Sequence, residues 1–417
     1  MSFSPKQKPG LSPMQTRYLI IAWVAASIIV GFCTFGAIFA AGGGMDVFTT
    51  PTAKAVAGNG SAAPKSVTQL PSTAAPAASK APAQTQPVAS QPTQGGLAPV
   101  GNFALGGQAI HGGFPGMAAM KKAGMTWVKL QASDLKTDFG PAIDNAHKNN
   151  MRILVSVVDK TEERYKVATP EYQQKFATYL VTLAKQGADA IEVWNEMNLE
   201  REWPKGQISG ESYTKLLKFV YPQIKAANPN TMVIIGAPSP TGFFGGGCDA
   251  NRQQGCDDKP FLEEMVRAGA FDFADCTGIH YNEGILSPSA TSGDPRGNST
   301  HYTRYYSSMV DTYWKATSAK KPLCFTELGY LTGEGYPDLT KTAPTFSWAS
   351  KTTVAQQAQW LAEAVTLARD SGKVKLLIVF NVDFVTYDSD PQAGYAIIRK
   401  DGLCPACDTL GKVMGVK

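Results

Sequence analysis

Histidine is scarce in this chain, four residues in 417. None falls in an HExxH pattern, and His111 and His147 have no partners at metal-ligand spacing, so no catalytic metal is expected. Cysteine is sparse too: seven residues are too few to scaffold a protein of this size through disulfides. A dinucleotide fingerprint is missing, since the glycines at 112–116 (GGFPG) have neither its spacing nor its place after a strand. Excess charge is missing from the larger part of the chain. Of 39 Lys plus Arg and 34 Asp plus Glu, residues 101–417 hold 33 of each. That balance gives no electrostatic case for nucleic acid. No cofactor is expected.

Residues 18–41 lack any charge, and the preceding segment carries Lys6, Lys8 and Arg17 with no acidic residue. Such a run spans a bilayer core of about 30 Å at about 1.5 Å per residue. It exceeds the usual signal-peptide core of about 7–15 residues, although Ala40-Ala41-Gly42 offers small residues for cleavage. The reading is an uncleaved anchor with the basic tail inside. The expected location is the cell membrane, single-pass, with the remainder extracellular. Residues 42–98 are rich in Pro, Ala, Ser, Thr and Gln, with few large apolar side chains to offset the entropy of ordering. The expected organisation is therefore a tail (1–17), an anchor (18–41), a disordered linker (42–98) and a folded domain (99–417).

Within that domain, eight apolar, β-branched runs recur: residues 102–108, 126–131, 152–158, 190–196, 232–238, 276–282, 323–329 and 376–382. Each precedes a segment of helical periodicity or a long loop. Continuous hydrophobic strands suit a parallel sheet covered on its outer face. Eight such units in about 300 residues fit a (β/α)8 TIM barrel better than an open doubly wound sheet. Tyr213, Leu216, Leu217, Val220, Tyr221 and Ile224 mark one helix, which Asn228-Pro229 stops. Trp360, Leu361, Ala364, Val365 and Ala368 mark another. Cys248 and Cys256 bracket a Gly-rich excursion and are expected to pair. Cys276 and Cys324 sit in apolar strands and read as buried core residues. Cys404 and Cys407 read as a short disulfide or as two free thiols.

In a barrel the chemistry belongs at the carboxyl ends of the strands. Glu196 ends the fourth run, in "VWNEMN", and Glu327 ends the seventh, in "FTELGY". Either alone reads as a solvated strand end. Two such residues across one barrel read as the carboxylate pair of glycoside hydrolysis, one protonating the leaving oxygen and the other attacking the anomeric carbon or activating water.

These two motifs resemble the signatures of clan A retaining glycoside hydrolases over roughly residues 100–417. The chain looks most like the β-xylosidase and exopolysaccharide-hydrolase branch, through "AGMTWVKLQ" at the second strand and "DPQAGYAIIRKDG" after the eighth. The resemblance implies that Glu196 is the acid/base and Glu327 the nucleophile. It implies that Asn195 binds the sugar 2-hydroxyl and that His280 orients the site. It also marks departures. Lys129 stands where the clan commonly has Arg, and Tyr281 falls beside the position of a Tyr that bonds the nucleophile. Strict alternation points His280 and Asn282 inward and Tyr281 outward. The sugar-stacking Trp of the eighth strand is not evident, which leaves Asn381, Asp383 or Phe384 for that wall and makes Trp203 and Trp348 candidate sugar platforms. The implied partner is a polysaccharide or oligosaccharide substrate, besides the membrane. The implied function is that of an anchored retaining β-glycosidase of cell-wall or exopolysaccharide. A catalytically weak glycan-binding barrel and a transglycosylase are the alternatives.

Overall fold

The computed structural model describes residues 103–416. Eight parallel strands lie in it: β1 (Ala104–Gln108), β2 (Trp127–Ala132), β3 (Arg152–Val157), β4 (Ala190–Val193), β5 (Met232–Ile235), β6 (Cys276–Tyr281), β7 (Leu323–Leu328) and β8 (Val374–Val379). They pair in chain order, and β8 returns to β1, where Leu105 lies opposite Leu377. Every run expected as a strand forms one, so the barrel expected from the sequence is the fold. Its longer helices are α1 (Met117–Lys122), α2 (Gly140–Lys148), α3 (Pro170–Lys185), α4 (Gly210–Ala227), α5 (Asp258–Ala268), α6 (Tyr306–Ala316), α7 (Val354–Asp370) and α8 (Pro405–Met414).

Local chemistry fixes the helix ends. Thr169 and Ser209 cap α3 and α4 by accepting from Tyr172 N and Ser212 N. Thr353 and Gln356 close a reciprocal capping box on α7. Each cap satisfies backbone donors that the first helical turn leaves open, worth about 1 kcal/mol. The apolar stripe of α4, including Tyr213, Leu216, Leu217, Val220 and Ile224, is wholly buried. Burial of such a side chain contributes roughly 1.5–3 kcal/mol. That stripe turns α4 toward the sheet.

Inside the barrel, Ala104, Trp127, Leu154, Ala190, Ile234, Cys276, Cys324, Leu376 and Ile378 form an apolar floor. Cys276 and Cys324, expected as separate core residues, are buried as expected but bonded to each other across β6 and β7. Barrel closure makes neighbours of two residues 48 apart in sequence. Cys248 is bonded to Cys256 as expected, and Cys404 to Cys407.

One expectation is corrected. Among the described residues no helix is long and apolar enough to cross a membrane, and the location inferred from the N-terminal run does not stand. Residues 18–41, on which it rested, lie outside the described residues, as do the linker and tail boundaries.

Candidate active site

One layer above the floor the barrel interior becomes polar. Lys129, two residues beyond Trp127 on β2, is fully buried. Its Nζ donates to Glu327 Oε1 at 3.0 Å and to Thr326 O at 3.1 Å. Glu192 Oε2 lies 3.7 Å away on β4. Glu192 is itself fully buried, and its Oε1 accepts from Thr326 Oγ1 at 2.7 Å and from Ala237 N at 3.2 Å. Thr326 and Glu327 are consecutive, yet both reach this layer. A bulge explains it: Ile279 pairs with Phe325, but His280 pairs with Glu327, so β7 carries one extra residue. Bulges re-aim side chains in this way.

Glu196 arrives by a different device. β4 ends at Val193, and Trp194 and Glu196 adopt left-handed backbone conformations, with φ of 72° and 47°. Such residues cost about 1–2 kcal/mol and persist only where the surroundings hold them. Here Trp194 turns outward against Phe176 and Trp203, and Tyr213 Oη donates to Val193 O at 2.7 Å. A Cβ at Gly236 would meet Val193 O and Trp194 O at 2.6 Å, so only glycine lets β5 approach the turn. Asn198 fastens the next segment, donating to Ser239 O and Cys256 O and accepting from Ser239 N. The loop closed by Cys248 and Cys256 thereby packs on the segment that follows Glu196.

The two carboxylates meet at His280, which is buried at the end of β6. Its Nδ1 lies 3.3 Å from Glu196 Oε1 and 3.8 Å from Glu327 Oε2, so those oxygens are no more than about 7 Å apart. Asn282 Nδ2 donates to Glu327 Oε2 at 3.0 Å. On the other side of Glu196, the Arg201 guanidinium pairs with Oε2. Asn195 is buried, and its Oδ1 has no hydrogen-bond partner. A cleft of about 330 Å³ opens above, lined by both glutamates and Asn195, with Gln108, Lys160, Glu202, Phe380 and Phe384 among its walls.

The charges set the titration. Burial pushes the Glu196 carboxyl up, but the His280 hydrogen bond and the Arg201 charge outweigh it and hold the group at about 2. Burial likewise opposes ionisation of Glu327, and Lys129 and His280 prevail and lower it. Burial disfavours the His280 cation, but the charge of Glu327 and the bond to Glu196 raise the imidazole above its ordinary value. In this arrangement both carboxyls are ionised.

The fold can be set beside known structures. A family 39 glycoside hydrolase from Bacteroides cellulosilyticus WH2 superposes with a TM-score of 0.53 at 16% identity, over 75% of this chain and 63% of that one. The two share a barrel fold. Also similar, at lower TM-scores, are a family 5 mannosidase from Rhizomucor miehei (0.49, 11% identity, 76% and 96% covered) and a family 128 endo-β-1,3-glucanase from Sorangium cellulosum (0.46, 16% identity, 75% and 98% covered). No family model and no curated protein matches the chain.

Of the residues singled out in the sequence, Glu196, Glu327, Asn195, His280, Asn282 and Lys129 converge. Three do not. Tyr281 is buried outside the barrel wall against Tyr306 and Tyr330, and its hydroxyl donates to Arg304 O. Trp203 is buried between Trp194 and Tyr213 and donates to Ser212 Oγ, so it is core and not a platform. Trp348 is partly buried beside Phe346, with the Arg296 guanidinium 5.0 Å from its ring, and does not line the cleft. Phe384, one of three residues considered for the eighth-strand wall, lines the cleft with Phe380. Asn381 and Asp383 turn to backbone groups of Gln392, Phe384 and Ile110. Sequence reading gave no role to Glu192 or Arg201. A charge inside the apolar run "AIEVW" was the available signal for Glu192.

Proposed function

We propose that the protein is a retaining β-glycosidase of a cell-wall or exopolysaccharide glycan, akin to the β-xylosidase and exopolysaccharide-hydrolase branch. One observation carries the reading: Glu196 and Glu327, from separate strands of a closed barrel, meet at one buried imidazole with facing oxygens no more than about 7 Å apart. Retaining pairs stand about 5–5.5 Å apart and inverting pairs about 6.5–9.5 Å. The facing oxygens lie within a bound that admits the retaining spacing.

In this reading Glu327 attacks the anomeric carbon. Lys129 and Asn282, one on each oxygen, hold its carboxylate in place for that attack. The sugar–oxygen bond breaks as a glycosyl ester forms, and Glu196, which first takes up a proton from solvent, gives it to the departing oxygen. Glu196 then takes a proton from the water that attacks the ester, and the sugar leaves with its original configuration. Asn195 Oδ1, buried and unpartnered, accepts from the 2-hydroxyl, a bond that tightens as charge develops on the ring. Phe380 and Phe384 offer apolar faces to the sugar. Lys129 supplies charge without the planar fork of Arg, so its hold on Glu327 is monodentate.

The test is turnover of aryl β-glycosides and polysaccharides by the full chain, with the first-formed anomer read by NMR. Retention is expected. Inversion overturns the mechanism, and glycan binding without turnover replaces it with a binding role.

A further inference from the structure

Both oxygens of Glu196 are occupied. Oε1 faces His280, which is 1% exposed, and Oε2 is held by Arg201, whose side chain is 58% exposed. A general acid donates from the oxygen turned to the leaving group. The buried imidazole fills the space beyond Oε1, so the donating oxygen is Oε2. While Oε2 accepts from a guanidinium that never loses its charge, it does not carry a proton. On the glycosidase reading, which this inference rests on, the Arg201 contact opens in every turnover.

The chemistry of that opening narrows the substrate. Arg201 sits on a solvent-facing segment, and its second contact, Ser239 Oγ at 3.5 Å, is long. Sugar hydroxyls compete poorly with a carboxylate for a guanidinium, whereas another carboxylate, with its planar bidentate geometry, competes on equal terms. The same cleft carries a second cation: Lys160, just past β3, lines it, and its charge acts on Glu202. An internal rival exists in Glu202, which also lines the cleft. Its Oε2 is buried without a hydrogen bond, and burial raises its carboxyl above the ordinary value.

We propose that Arg201 is a specificity residue, closing the Glu196 carboxylate in the free protein and releasing it to a glycan with a carboxylate-bearing sugar on the leaving-group side of the scissile bond. The incoming carboxylate takes the guanidinium, Lys160 adds a second positive charge, and Glu196 becomes able to protonate. A glycan of acidic sugars, of the uronate class, is the substrate this arrangement selects.

The experiment compares 4-carboxyphenyl and 4-carbamoylphenyl β-glucosides and β-xylosides on the full chain, its Arg201→Gln variant and its Arg201→Lys variant. The readout is the ratio of kcat/KM for the charged over the neutral leaving group, normalised to Arg201→Gln so that intrinsic leaving ability cancels. A ratio at least tenfold higher in the wild type is expected, with Arg201→Lys in between and the neutral substrate hydrolysed faster by Arg201→Gln than by the wild type. Equal ratios in wild type and Arg201→Gln overturn the proposal. Equal ratios together with loss of both activities in Glu202→Gln overturn it in favour of Glu202 as the group that receives Arg201. A second readout does not need turnover: calorimetry with D-glucuronate and D-glucose. Glucuronate is expected to bind at least tenfold tighter, with the difference lost in Arg201→Gln; equal binding overturns the proposal. If the wild type hydrolyses none of the glycosides in the wider panel, the glycosidase reading fails, and calorimetry alone decides the acidic-sugar subsite.

Discussion

The floor of the barrel and the layer above it are built on the same strands, often two residues apart, and they obey opposite rules. Trp127 belongs to the floor and Lys129 to the layer above; Ala190 and Glu192 repeat the pattern, as do Cys324 and Thr326. Both layers are buried. The floor is what the hydrophobic effect alone selects. The upper layer keeps Lys129, Glu192, His280 and Glu327 out of water, which stability does not reward, since replacing a buried ion pair by apolar groups is often neutral or stabilising. Charges retained against that cost, beside an open cleft, mark where the chemistry lies.

Substitutions can break this division. Glu327→Gly in the upper layer is expected to abolish turnover while leaving a folded barrel by circular dichroism. Glu196→Ala is expected to cost on the order of 10²–10⁴ in rate for poor leaving groups. With a good leaving group a burst should appear in stopped-flow traces, because ester formation then needs little protonation. Lys129→Met crosses the division by placing floor chemistry in the upper layer. It leaves Glu327 and Glu192 buried without their cation, at about 3–5 kcal/mol of stability by urea melting. The sign of its pH effect follows from the charges. Burial raises the Glu327 carboxyl and Lys129 lowers it, so removing Lys129 raises it. The acid limb of kcat/KM, which requires ionised Glu327, should move to higher pH.

Leu154→Ala makes a defect in the floor, where a fully buried Leu to Ala change costs about 2–5 kcal/mol. Its kcat in the folded state should match the wild type. A floor substitution that lowers kcat as strongly as Lys129→Met would show that the layers are not separable. Tyr281→Phe should do least. It removes one hydrogen bond outside the barrel wall, about 0.5–1.5 kcal/mol by melting, and leaves kcat/KM unchanged.

The floor was far more legible in the sequence than the site. Eight runs of continuous apolar residues state a parallel, covered sheet outright, and the helix caps at Ser209 and Thr353 are local chemistry. The polar layer depends on breaks in regularity. Alternation along β7 does not bring Thr326 and Glu327 to one side; a bulge does, and it exists only in the pairing with β6. Alternation did send Tyr281 outward, and the structure agrees with it against the resemblance. Trp203 follows β4 in a loop and reads as a candidate sugar platform, but Trp194 and Tyr213 draw it into the core. Cys276 and Cys324 reveal their burial in sequence and their bond only in the closed barrel. Arg201 lies in a polar loop segment with Glu200 and Glu202, where nothing local tells which carboxylate it will choose.

The division of labour between the two glutamates is tested most directly by azide rescue of Glu327→Gly with an activated aryl β-glycoside, the product configuration being read by NMR. With the nucleophile gone, azide enters from the face that Glu327 occupied, and an α-configured glycosyl azide is expected; the matched Glu196→Ala reaction should give the β-configured azide through the intact ester. A β-configured azide from Glu327→Gly, or undiminished hydrolysis by that variant, would contradict the assignment.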